Sequence, residues 1–214
     1  MRFTNRIDAG RRLADRLPAY AGRPDVVVLA LPRGGVPVAY EVASRLGAPF
    51  DIFLVRKLGV PGQEELAMGA ISEGGVEVLS EDLIRQLRIP DAFVRQTAAR
   101  ERLELDRRDT FYREGRGLIS VRGQVVILVD DGLATGSTME AAVLGLRRLE
   151  PARIVVAVPV GAKETCERLR NIADEVVCLE TPEPFQAVGL WYDDFSQTSD
   201  EEVRRLLADA HSQP

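Results

Sequence analysis

Short runs of apolar, mostly β-branched residues alternate along the chain with stretches whose apolar positions recur every three to four residues. The first kind predicts strands buried on both faces, and the second predicts amphipathic helices. The strand runs are Val26–Leu31, Ile52–Val55, Val125–Val129, Ile154–Val160 and Val176–Leu179. Helices are expected over Phe3–Tyr20, about Val38–Leu46, Lys163–Ile172 and Asp200–Ala210. In the first, Asn5 or Thr4 serves as cap, and Ile7, Leu13, Ala14 and Leu17 lie along one face. A further helix follows Thr138, with Met139, Ala142, Val143, Leu146 and Leu149 at helical spacing. This alternation implies an α/β fold: a mostly parallel central sheet with helices on both faces and its sites at the carboxyl ends of strands.

The middle of the chain departs from that rhythm. Leu58–Glu65 carries two glycines and a proline and is expected to be a loop. Met68–Ser72 and Val76–Leu79 are short strand candidates joined by a turn at Gly74-Gly75. Ser80–Gly115 is helical and highly charged. Ser80-Glu81-Asp82 caps a short helix to about Leu87, and Pro90 opens a second helix that runs to Arg113. So polar a helix is an exposed cover or an interaction arm. We read about 80–115 as a helical insertion in a single domain spanning 1–214, because no composition break marks a linker.

The chemistry concentrates at Val125–Thr138. Five apolar residues lead into Asp130 and Asp131, then into Gly132, Leu133, Ala134, Thr135, Gly136, Ser137 and Thr138, and then into a helix. A helix start offers unpaired N–H groups and a partial positive charge, and small residues let a phosphate reach the backbone. Thr135, Ser137 and Thr138 add hydroxyl donors. The carboxylates repel a phosphate and suit hydroxyl groups or a cation beside it. A ligand with a phosphate at one end and a diol further along satisfies both halves. The plainer alternative, a turn with a helix cap, explains one acid well and two poorly, because carboxylates at a buried strand end are costly.

A second candidate is Arg33-Gly34-Gly35, where a strand end gives way to a fork of donors and two permissive residues. Alone it reads better as a plain strand-to-helix turn with a surface arginine, and beside the first motif the phosphate reading takes over. A third is Arg56-Lys57, at the expected end of the Ile52–Val55 strand, with a solvated basic pair as its alternative.

Composition narrows the options. The chain has 214 residues and a net charge of −5, with acids and bases mixed throughout. No polybasic tract makes a case for nucleic acid. No apolar run reaches membrane-spanning length, and the N-terminus lacks a signal-peptide core. Cys166 and Cys178 lack metal-ligand spacing and read as reduced residues of a cytoplasmic protein. His211 is the one histidine and sits in a polar tail, so a Ser/His/Asp hydrolase and a His-ligated zinc site are poorly supported.

Val125–Thr138 closely resembles the phosphoribosyl pyrophosphate signature of type I phosphoribosyltransferases, although an apolar residue is usual at Gly132. Arg33-Gly34-Gly35 resembles the pyrophosphate loop of the same family, in the form seen in xanthine phosphoribosyltransferases. The resemblance covers about Val26–Phe195 outside the insertion. It implies transfer of the phosphoribosyl group to a small nitrogen acceptor, such as a nucleobase in salvage, with Mg2+ as cofactor. By this resemblance Gly132–Thr138 hold the 5-phosphate, Asp130 and Asp131 hold the ribose hydroxyls and a water of the metal, and Arg33, Arg56 and Lys57 meet the pyrophosphate. Phe185, in a segment that resembles the C-terminal part of hypoxanthine-guanine enzymes, would stack on the base, while Trp191 and Phe195 read as sealing the sheet edge. Ala134 stands where 6-oxopurine enzymes carry an aspartate. That position looks like the adenine enzymes, which place a glutamate on the mobile loop, and Glu64 and Glu65 are the candidates for a base. We expect a homodimer. The alternatives are a non-catalytic regulator that senses phosphoribosyl pyrophosphate and a diphosphokinase, for which no Gly-rich P-loop is present.

Overall fold

A computed structural model describes residues 2–211, without the side chains of Glu64 and Glu65. Strands β1 (Val26–Ala30), β2 (Phe50–Ile52), β6 (Val125–Val129), β7 (Arg153–Val160) and β8 (Glu175–Glu180) form one parallel sheet in the order β2-β1-β6-β7-β8. Helices α1 (Arg6–Ala14), α2 (Gly35–Leu46) and α7 (Asp200–His211) cover one face, while α5 (Ser137–Arg147) and α6 (Lys163–Leu169) cover the other. The alternation of strand side chains divides the core between the faces. Val28, Ala30, Ile127 and Val129 pack with α2, and Leu29, Val126, Leu128 and Val156 pack with α5 and α6. This is the helix-covered parallel sheet that the pattern predicts.

The details correct several boundaries. The first helix stops at Ala14, and Pro18 opens a separate 3-10 turn to Tyr20, because proline breaks an intrahelical hydrogen bond. Asn5 caps α1, its Oδ1 accepting from the Asp8 N–H at 3.0 Å. Helix α2 begins at Gly35, three residues earlier than the pattern suggests, with Pro37 tolerated in its first turn.

The larger correction concerns the expected loop. Strands β3 (Val55–Val60), β4 (Gln63–Ser72) and β5 (Val76–Leu79) form a second, antiparallel sheet. Leu58–Glu65 is therefore a hairpin turning at Pro61-Gly62, and Arg56-Lys57 lie inside β3 rather than at the end of a parallel strand. Leu58 and Val60 alternate inward, which is the strand period hidden by the glycine and proline. Gly74 and Gly75 both take left-handed φ in the turn between β4 and β5.

Helices α3 (Glu81–Gln86) and α4 (Asp91–Arg113) fill the predicted helical stretch. Helix α4 buries Val94, Ala98, Glu101, Leu105, Tyr112 and Arg113, so it is part of the packed body rather than an exposed cover, although Leu103 on its outer side is 72% exposed. Its polar residues are buried because they are paired. Arg113 bonds Asp51 of β2, Glu73 after β4, and Asp109.

Candidate active site

Strands β1 and β6 are neighbours in register, with Ala30 opposite Val129. The ladder runs one residue further, the Leu31 N–H donating to the Val129 carbonyl at 2.9 Å. The segments that leave these two strands therefore start side by side: Arg33-Gly34-Gly35 from β1 and Asp130-Asp131 from β6. Both glycines are needed for that approach. A Cβ on Gly34 would lie 2.0 Å from Asp131 Oδ2, and one on Gly35 would lie 2.8 Å from the Val129 carbonyl oxygen. The Pro32–Arg33 peptide is cis.

The loop after Asp131 is held from below. Leu133 is 2% exposed, and its N–H and carbonyl are bonded to Val160 and Ala162. Its side chain belongs to the core, so any contact of Leu133 with a ligand would be through its backbone. The Thr165 hydroxyl donates to the Ala134 carbonyl at 2.7 Å, and Arg168 donates to the Thr135 carbonyl. Gly136, at φ +71°, caps α5 in a left-handed conformation that favours glycine. With two carbonyls tied to α6, the loop leaves Thr135, Ser137 and Thr138 around the start of α5, and the Thr135 and Ser137 hydroxyls lie 3.3 Å apart. Gly132 departs from the usual apolar residue because Val188 fills the space: a Cβ there would lie 2.5 Å from a Val188 methyl.

The acids are electrostatically costly. Burial, then the charge of Asp131, pushes Asp130 well above the ordinary carboxylate range. Burial also raises Asp131, but Arg6 opposes it. The Arg6 Nε and Nη2 both donate to Asp131 Oδ2, at 2.9 and 2.8 Å. The Tyr192 hydroxyl donates to the Asp131 carbonyl at 2.6 Å, and burial beside Asp131 raises its pKa so that it keeps this proton. Phe195 lies under the Arg6 guanidinium at 4.0 Å, which gives it a contact beyond sealing the sheet edge. Arg6 and Tyr192 were not foreseeable by spacing, since they lie 125 and 61 residues from their partner. The one available hint was an arginine opening an amphipathic helix.

Of the other predicted residues, Lys57 reaches the loop, its Nζ donating to Ser137 Oγ at 3.4 Å. Together they line an open groove of about 520 Å³ with Leu66, Ala70, Leu79 and Ala141. Arg56 is turned to α4, where Glu101 accepts from its Nε at 2.9 Å. Arg33 extends to Asp200 at 3.7 Å in a cleft of about 300 Å³ that also presents Arg107, Arg108 and Tyr112. Phe185 is half-buried against the cluster of Phe3, Val160 and Tyr192. Glu64 and Glu65 lie in the β4 backbone, and their side chains fall outside the described residues.

Among the described residues, no cluster of three or more His, Cys, Asp or Glu side chains could hold a metal. Two adjacent carboxylates suit a hard cation that draws most of its ligands from water and phosphate, as Mg2+ does. Cys166 and Cys178 are free thiols. No helix among the described residues is long and apolar enough to cross a membrane.

A parallel sheet that sets a small-residue helix start and an acidic pair beside a glycine loop has the geometry that suits a phosphate at the carboxyl ends of its strands. The profile of the phosphoribosyl transferase domain matches residues 3–74 and 62–194, and the chain belongs to that family, of type I. It is 49% identical over 209 residues to the provisionally named phosphoribosyl transferase Rv0571c of Mycobacterium tuberculosis, covering 98% of this chain and 47% of that one. It thus spans about half the length of this curated relative. The crystal structure of TT1426 from Thermus thermophilus is 47% identical with a TM-score of 0.88, covering 98% of this chain and 99% of that one. The bifunctional protein PyrR of Chloroflexus aurantiacus is 34% identical over 129 residues, covering 59% of this chain and 65% of that protein.

Proposed function

We propose that this chain transfers the phosphoribosyl group of phosphoribosyl pyrophosphate to a nitrogen acceptor, a nucleobase, and releases pyrophosphate, within one domain that includes α3 and α4. The observation that carries this reading is the packing of Gly34 and Gly35 against Asp130 and Asp131, with the capped start of α5 next along the chain. One cradle then offers phosphate donors, diol acceptors and a backbone-lined approach in sequence. The ribose C1–O bond to pyrophosphate breaks, and the pyrophosphate takes the bonding electrons. The acceptor nitrogen supplies the pair for the new C–N bond. The chain's work is positioning and stabilising developing charge. Asp130 and Asp131 orient the ribose hydroxyls, the loop to Thr138 anchors the 5-phosphate, and Lys57 and Arg33 meet the pyrophosphate. Bound Mg2+ would screen the leaving pyrophosphate, held by its oxygens, water and the two acids.

Titration calorimetry tests this. Phosphoribosyl pyrophosphate binds wild type in a magnesium-dependent manner. Asp131→Asn, which keeps the shape and removes the charge, weakens binding by about 1.5–3 kcal/mol. No binding to wild type at millimolar ligand rules the assignment out. Binding without pyrophosphate release for any nucleobase favours the sensing regulator instead, a reading kept open by the likeness to a bifunctional PyrR.

The acceptor's proton needs a base, and Ala134 offers none. We assign that role to Glu64 or Glu65. In single-turnover kinetics with a working acceptor, Glu64→Gln or Glu65→Gln slows chemistry by at least roughly tenfold, a threshold well below the usual yield of general-base catalysis. Unchanged rates in both variants sink this assignment.

A further inference from the structure

The N-terminal and C-terminal segments are zipped together beside the acidic pair. The Phe3 N–H donates to the Trp191 carbonyl, and the Asp193 and Asp194 N–H groups donate to the Phe3 and Thr4 carbonyls, at 2.8–3.0 Å. Arg6 extends from this clasp to Asp131, its Nη1 donating to the Ser196 carbonyl at 2.6 Å and its plane resting on Phe195. Arg6 and Asp131 side chains are only 11% and 14% exposed.

The form of the pair is unusual for a purely structural bridge. Guanidinium and carboxylate commonly meet fork to fork, each donor taking its own oxygen. Here both donors converge on Oδ2, which also rests against Gly34. An ionised carboxylate accepts at two oxygens, so Oδ1 keeps its capacity toward a ligand. The rest of Asp131 is fixed as well, its N–H by Asp130 Oδ1 at 2.8 Å and its carbonyl by Tyr192. A pair this buried gains little stability over apolar packing, so its use lies in orientation.

We propose that Arg6 is a positioning residue for the ribose: it holds Asp131 in the rotamer that presents Oδ1 to a sugar hydroxyl, and it ties that rotamer to the terminal clasp. This rests on the phosphoribosyl reading above. Arg6 acts through Asp131, so its loss falls mainly on the sugar end of a ligand, because Asp131 would meet the metal through water.

The test is calorimetry with ribose 5-phosphate, phosphoribosyl pyrophosphate and inorganic pyrophosphate, each with magnesium, on wild type, Arg6→Ala and Arg6→Lys, with melting curves alongside. Arg6→Ala weakens both ribose ligands by roughly 10- to 100-fold, as loss of a charge-assisted contact implies. It leaves pyrophosphate within about twofold. Arg6→Lys falls between, since a point charge replaces the fork. Millimolar guanidinium partly restores ribose 5-phosphate binding to Arg6→Ala by filling the place over Phe195, a rescue that a general loss of packing does not show. Ribose 5-phosphate affinity in Arg6→Ala within twofold of wild type overturns the proposal. So does equal weakening of pyrophosphate with a lowered melting temperature, which marks a structural role. Wild type that binds no ribose 5-phosphate overturns the phosphoribosyl reading itself, and this inference with it.

Discussion

Arg113→Ala lowers the unfolding free energy by about 3–5 kcal/mol in an equilibrium urea titration, the scale expected when one partner of a buried ion pair is removed. Arg113 is 3% exposed and joins three elements. Its Nε donates to Asp51 Oδ1 of β2 at 2.9 Å, its Nη2 to the Ile52 carbonyl at 2.6 Å, and its Nη1 to Glu73 and to Asp109 of α4. Removing the guanidinium strands two buried acids. Burial already pushes Glu73 up to about 7 with Arg113 present. Without Arg113 the folded state holds that proton to still higher pH. The folded variant then binds more protons than folded wild type near neutrality, so its stability falls more steeply as pH rises. The penalty is therefore larger at pH 8 than at pH 6. A loss below about 1 kcal/mol, or one that shrinks with rising pH, contradicts this account.

Gly34→Ala abolishes most ribose-phosphate affinity while leaving the fold intact. The added Cβ would meet Asp131 Oδ2 at 2.0 Å, and Arg6 holds that oxygen from the other side. The carboxylate is the movable party, so the backbone stays and the rotamer goes. Losing the fork to Arg6 and the contact to a ribose hydroxyl together costs on the order of 3 kcal/mol in ligand affinity. Gly35→Ala behaves differently, because its Cβ would meet the Val129 carbonyl at 2.8 Å and the backbone itself must shift. That variant loses stability as well as ligand. Comparing their melting temperatures and ribose 5-phosphate affinities checks both; Gly34→Ala with wild-type affinity would show that Asp131 accommodates the methyl.

The parallel sheet and the Asp130–Thr138 loop were legible because their signals are local. A five-residue apolar run, two acids and a small-residue helix start lie within 14 consecutive positions. What could not be read depends on pairing across distance. Glu101 and Arg113 look like solvent-facing residues of a polar helix, yet they are buried against Arg56, Asp51 and Glu73. A binary pattern scores such charges as exposed, although Val94, Ala98, Glu101 and Leu105 form a helical stripe once Glu101 is allowed inside. The β3–β4 hairpin is hidden for the opposite reason: Gly59, Pro61 and Gly62 signal a loop and outweigh the alternation of Leu58 and Val60. Arg6 gives no local sign of its partner at all.

The tethering of the Ala134 and Thr135 carbonyls to α6 has a thermodynamic consequence. Ordering a backbone residue costs roughly 1–2 kcal/mol in entropy. For a loop bound in this way that cost falls on folding and not on ligand capture. On the phosphoribosyl reading, a phosphate arriving at the start of α5 meets a loop already in place, so its encounter needs no search by the loop. On the same reading, phosphate capture then depends on Thr165 and Arg168 of α6, beyond α5 and β7 along the chain.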